Sequence, residues 1–159
     1  MRTIFVRDVM SSPVITASLS TSLPQLNSLM REHHIRRLPV VDGNRLVGMI
    51  TFGDIRSALP SDATTLSVYE LSYLIEQVTA AEVMRDGVIT ISADASVAEA
   101  AQQMLEHKIS GLPVVERDHL VGIITESDIF RAISTGLIPV ANKPDLVAAT
   151  SSRQERTRV

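Results

Sequence analysis

Two apolar runs of strand length, LPVV from Leu38 and LVGMI from Leu46, flank the polar stretch Asp42-Gly43-Asn44-Arg45, a pattern that predicts a β-hairpin. The pattern returns as LPVV from Leu112 and LVGII from Leu120, around Glu116-Arg117-Asp118-His119. Ahead of each hairpin the spacing turns helical. Ser96 and Glu99 read as a capping box, and Val97, Ala100, Ala101, Met104 and Leu105 follow at helical intervals. Ser22 with Gln25 gives the same signal, with Pro24 tolerated in the opening turn and Leu26, Leu29 and Met30 on the inward face. Earlier still, Val14-Ile15 and Val88-Ile89, each ending at a threonine (Thr16, Thr90), predict short strands. After each hairpin, Thr51-x-x-Asp54 and Thr125-x-x-Asp128 open a second helix, the latter stopping near Gly136.

The chain thus repeats one β-α-β-β-α unit at a constant offset of 74 residues, with no insertion or deletion: Met10 recurs as Met84, Pro39 as Pro113, Gly48 as Gly122 and Asp54 as Asp128. The fold class is α/β, with α+β character. Residues 1–60 form the first repeat, 61–81 a linker, 82–136 the second repeat and 137–159 a tail, polar and unpatterned from Asn142 and expected to be flexible. In the linker, Pro60 to Ala63 reads as a loop, and Leu71, Leu74, Ile75 and Val78 share one face of a connecting helix expected to pack on the pair. A unit of about 50 residues is marginal alone, so the two are expected to share a core.

Composition narrows the function. Of 159 residues, 45% are hydrophobic and only 3% aromatic, which implies an aliphatic, β-rich interior. A net charge of −3 without a basic aromatic stripe argues against nucleic-acid binding. The absence of cysteine excludes disulfides, thiolate metal sites and cysteine catalysis. No apolar run approaches the ~20 residues of a membrane span, and Arg7 interrupts any secretory apolar region, so a cytoplasmic protein is expected.

No motif points to catalysis: G-x-S-x-G and Walker loops are missing, and Gly48 and Gly122 read as strand glycines at points of close approach. His33, His34 and His107 lack ligand spacing for a metal, and His33 and His107 sit in equivalent register at helix ends. T-x-x-D itself has two uses. It caps a helix, and its carboxylate can also accept both hydroxyls of a ribose while the threonine hydroxyl and helix N–H groups receive a phosphate. Arg36-Arg37 is equally open, as a solvated basic loop or as a bidentate phosphate contact.

The segments VGMITFGD from Val47 and VGIITESD from Val121, each preceded by LPVV, resemble the cystathionine β-synthase (CBS) domain over residues 8 to 59 and 82 to 135. The resemblance implies a tandem pair, or Bateman module, packed about a pseudo-twofold axis, with clefts between the copies for AMP, ADP, ATP or S-adenosylmethionine. It implies Asp54 and Asp128 for ribose, Thr51 and Thr125 for phosphate, and the stretches at Ile15-Thr16 and Ile89-Thr90 for the adenine, with strand core as their other use. It places cationic contacts just before the strand prolines Pro39 and Pro113. Asp128 and Thr125 are therefore expected to share a cleft with Arg36 and Arg37, with Asp54 facing Ser110 and Gly111. A homodimer, an unidentified protein effector and no required cofactor complete the expectation. The competing expectations are a dimerising module with empty clefts and S-adenosylmethionine or NADH as the ligand.

Overall fold

A computed structural model describes residues 2–61 and 65–140. Asp62, Ala63 and the tail from Asn142 lie outside the described residues. The first repeat comprises α1 (Val6–Val9), β1 (Ala17–Ser18), α2 (Leu23–Glu32), β2 (Arg37–Asp42), β3 (Arg45–Thr51) and α3 (Phe52–Ala58). After the connecting α4 (Val68–Gln77), the second comprises α5 (Ala80–Val83), α6 (Val97–His107), β4 (Gly111–Glu116), β5 (His119–Thr125) and α7 (Glu126–Ser134). Both hairpins form in equivalent register, Leu38 facing Ile50 and Leu112 facing Ile124, with a bulge at Val40/Val41 and at Val114/Val115. They join edge to edge through Arg45 and His119, giving the strand order β1-β2-β3-β5-β4.

The caps form at the expected residues. Ser22 and Gln25 bond reciprocally at the start of α2, Thr51 and Asp54 do so at α3, and Ser96 Oγ accepts from the Glu99 N–H at 3.1 Å. Gly136, with φ +75°, ends α7 in the left-handed conformation that an L side chain resists. Two helical stripes differ from the spacing: Leu105 on α6 is exposed, and on α4 only Ile75 packs against the first core cluster, joined just beyond the helix by Val78, while Leu74 faces solvent.

The predicted strands at Val14-Ile15 and Val88-Ile89 do not form. The first ladder starts at Ala17, which pairs in parallel with Val40, and the second copy keeps only an isolated bridge from Ile91 to Val114. The reason is an exchange between the copies. Ser11 exchanges backbone hydrogen bonds with Ile123 of the second hairpin at 2.9 and 3.1 Å, and Arg85 does the same with Met49 of the first at 2.9 and 3.0 Å. The chain from Ser12 to Thr16 must then cross from one copy to the other, and along that crossing it has no strand to pair with.

The same exchange divides the interior. Instead of one shared core there are two clusters, one around Leu26, Leu38, Val40 and Ile50, the other around Ala100, Leu112, Val114 and Ile124. Each is completed from the other repeat: Val6 of α1 is fully buried in the second cluster, and Ala80 of α5, its counterpart 74 residues on, in the first. Reciprocal donation of equivalent segments is what a pseudo-twofold pair requires. Met10 and Met84 follow the helices and lie flat on the opposite hairpins. A Cβ at Gly48 would come within 2.9 Å of Met84 Cγ, and one at Gly122 within 3.1 Å of Met10 Cγ, which is why those strand positions carry no side chain.

Candidate functional site

The crossing segments and the helix openings define a cleft of about 580 Å³ between the copies, a volume suited to a small organic ligand. Thr125 ends β5, so its side chain and the first turn of α7 stand at the cleft floor. Asp128 is the buried charged side chain of the described core, 5% exposed. Its Oδ2 accepts the Thr125 N–H and hydroxyl, both at 2.9 Å. Its Oδ1 faces the cleft, accepting Ser11 Oγ at 3.3 Å and Arg131 Nη1 at 3.2 Å. One oxygen holds the helix while the other is offered to more labile partners.

In the first repeat, α2 ends at Glu32 and His34 turns left-handed at φ 52°, releasing the chain towards β2. That turn brings His34, Arg36 and Arg37 to the lining of the same cleft as Asp128. Arg37 donates from Nη2 to Ser110 Oγ, which fixes one side of its guanidinium. Burial lowers the Arg37 pKa; the Glu126 carboxylate opposes that fall, and Arg36 adds to it. Apolar lining comes from Pro13, Val14 and Ile15 of the crossing segment. Pro13 and Val14 also line a second cavity of about 250 Å³ that includes Thr16 and the exposed turn residues Gly43 and Asn44.

The main cleft therefore brings together Thr125, Asp128, Arg36, Arg37 and Ile15. Thr16 lies in the adjoining cavity, and Thr90 in a third of about 200 Å³, at the register equivalent of Thr16. Thr51, Asp54, Ile89, Pro39 and Pro113 line none of these three cavities, and both prolines are fully buried within β2 and β4. Ser110, expected on the Asp54 side, lines the Asp128 cleft, because its bond to Arg37 holds the two pre-proline segments against each other. Sequence reasoning missed Ser11, His34, Glu126 and Arg131. Arg131 alone carried a local signal, since three residues after Asp128 it falls on the same face of α7.

Asp54 has different surroundings. Its Oδ2 accepts the Thr51 N–H and hydroxyl, both at 2.8 Å, as Asp128 does from Thr125. Its Oδ1 is taken by Arg85, with Nε at 2.9 Å and Nη2 at 2.7 Å. Burial works against the Asp54 charge, yet the Thr51 and Arg85 contacts outweigh it and hold the pKa below the ordinary carboxylate value. With the folded pKa depressed, the stabilisation is present above the unfolded pKa and fades only as pH falls through the folded one, so the contact is closed at neutral pH.

Among the described residues no group of three or more His, Asp and Glu side chains is placed to hold a metal ion, and no helix is long and apolar enough to cross a membrane. The family model described as CBS domain matches residues 6–61 and 80–135. The L-aspartate semialdehyde sulfurtransferase of Methanocaldococcus jannaschii is 36% identical over 128 residues, covering 79% of this chain, which spans 22% of that protein's length. Among solved structures, the CBS domain pair of protein MJ0100 in complex with 5′-methylthioadenosine and S-adenosyl-L-methionine superposes with a TM-score of 0.69 at 33% identity, covering 84% of this chain and 98% of that one. CBSX2 in complex with AMP superposes with a TM-score of 0.68 at 27% identity, covering 83% and 97%.

Proposed function

The chain belongs to the CBS domain family, and on that premise we propose that it senses an adenosine phosphate, AMP, ADP or ATP, in the Asp128 cleft and passes the resulting change to a protein partner. As a CBS pair it is a ligand-binding regulatory module, not a catalyst. The observation that carries the nucleotide reading is the set of groups that line one cleft. An apolar wall at Val14 and Ile15 suits a purine, the Asp128 carboxylate suits ribose hydroxyls, and His34, Arg36 and Arg37 suit phosphate. The AMP held by CBSX2 supports an adenosine phosphate, and the ligands of the MJ0100 pair support the adenosine part alone. Three basic side chains in that lining favour a phosphate over the sulfonium of S-adenosylmethionine, which brings a cation of its own.

Binding to the folded state alone raises stability by ~2.7 kcal/mol when free ligand exceeds the dissociation constant a hundredfold. Melting of ligand-stripped protein with millimolar AMP, ADP and ATP therefore shifts upward for at least one of them. A shift with S-adenosylmethionine only would replace the nucleotide with that ligand, and no shift with any of them leaves the dimerising module as the function.

The module is proposed to act as a homodimer. Tyr69 and Tyr73 on α4, and Phe130 and Ile133 on α7, are large apolar side chains left exposed among the described residues, faces that a second copy would bury. Sedimentation at tens of micromolar gives a species of twice the 17.3 kDa chain mass; a 17.3 kDa species alone refutes the dimer.

A further inference from the structure

The two copies differ at the position that decides whether a ribose can reach the aspartate. Ser11 and Arg85 are register equivalents, and the structure makes them geometric equivalents: each exchanges a pair of backbone hydrogen bonds with the middle of the opposite hairpin, Ser11 with Ile123 and Arg85 with Met49. Their side chains consequently start from matching points and aim at matching carboxylates. Ser11 is short and reaches Asp128 Oδ1 with one hydroxyl at 3.3 Å. Arg85 is long, and two of its guanidinium nitrogens lie within 2.9 Å of Asp54 Oδ1. Each oxygen of either aspartate has two donors. Both of those on Asp54 Oδ1 come from one guanidinium at 2.7 and 2.9 Å, whereas those on Asp128 Oδ1 are two separate side chains at 3.2 and 3.3 Å.

We propose that Arg85 is a specificity-determining residue that occupies the Asp54 carboxylate in place of a ribose, so that each chain holds one nucleotide, in the Asp128 cleft. This rests on the nucleotide reading above and adds to it which cleft is closed and by which side chain. Asp128 also meets an arginine, but differently. Arg131 comes from the next turn of the same helix, makes one contact at 3.2 Å and leaves the 580 Å³ cleft open beside it. The equivalent of Arg131 in the first repeat is Ser57, so the copies draw their arginines from different elements, Arg85 from the segment that pairs with the opposite hairpin and Arg131 from the helix of the aspartate itself. Arg85 stands at Asp54 where Ser11, which lines the open cleft, stands at Asp128. Its side chain is 76% exposed and Asp54 only 8%, so removing it uncovers the carboxylate without opening a core.

The test is Arg85→Ser, which installs the residue found at the matching position of the open cleft, measured by calorimetric titration with AMP. Wild-type protein takes one AMP per chain and Arg85→Ser takes two. Asp128→Ala loses binding, and Asp128→Ala with Arg85→Ser regains one AMP per chain. An Arg85→Ser stoichiometry that stays at one, a wild-type stoichiometry of two, or weaker total binding after Arg85→Ser overturns the role of Arg85 while leaving the nucleotide reading intact. Flat titrations for wild type and Arg85→Ser alike overturn the nucleotide reading, and this inference with it.

Discussion

Replacing Arg36 and Arg37 together by alanine lowers the affinity for AMP roughly ten- to a hundredfold and leaves adenosine binding close to its starting value. The magnitude follows from losing charge-assisted hydrogen bonds to a phosphate, about 1.5–3 kcal/mol, where each 1.4 kcal/mol is tenfold. The selectivity follows from position. Both arginines line the cleft, while the donors to the Asp128 carboxylate are Thr125, Ser11 and Arg131, so removing the arginines leaves the proposed ribose contact in place. Asp128→Ala has the complementary signature and weakens AMP and adenosine alike, because the ribose is common to both. Paired titrations of AMP and adenosine against the two variants check this. Equal losses for both ligands in the arginine variant would place those side chains outside the phosphate contact.

Val6→Asp destabilises the protein by more than ~4 kcal/mol, the size expected when an unpaired charge is forced into a closed interior. The informative part is where the loss appears. Val6 belongs to the first repeat in sequence but is fully buried among Ala100, Leu112 and Ile124 of the second. Amide exchange near 25 °C therefore accelerates first in β4 and β5. Ala80→Asp, at the equivalent position, accelerates β2 and β3 first, because Ala80 is buried in the first cluster. If each substitution loosened its own repeat instead, the exchanged packing of α1 and α5 would be wrong.

That exchange marks the limit of what the sequence showed. Hairpins, caps and helices were legible because each is written locally, in a turn between two apolar runs or a T-x-x-D at a helix start. The 74-residue offset then made every assignment twice. Periodicity states that a face is buried but not which core receives it, so nothing local in VRDV distinguishes packing on its own repeat from packing on the other. The Val14-Ile15 pair has strand composition, yet it crosses between the copies where no ladder can form. Leu74 and Leu105 sit at the edge of apolar stripes that their short helices turn partly outward.

The site was legible to a similar depth. The family signature singled out Thr125, Asp128, Arg36 and Arg37, which the fold brings to one cleft. Thr51 and Asp54 carry the same signature in surroundings of another kind, since an arginine 31 residues away answers the carboxylate. That difference was present in the sequence as Ser11 against Arg85 at one register position. It carried no meaning until the backbone pairing with Ile123 and Met49 showed that the two side chains meet equivalent carboxylates. His34 escaped for a related reason: its place on the cleft wall comes from a left-handed turn after α2, which histidine does not advertise.

Binding of an adenosine phosphate in the proposed Asp128 site is decided by calorimetric titration of ligand-stripped protein with AMP, ADP and ATP. At least one of them binds saturably, with binding lost on Asp128→Ala and retained on Asp54→Ala. Flat traces for all three nucleotides, or binding that survives Asp128→Ala and disappears with Asp54→Ala, would contradict it.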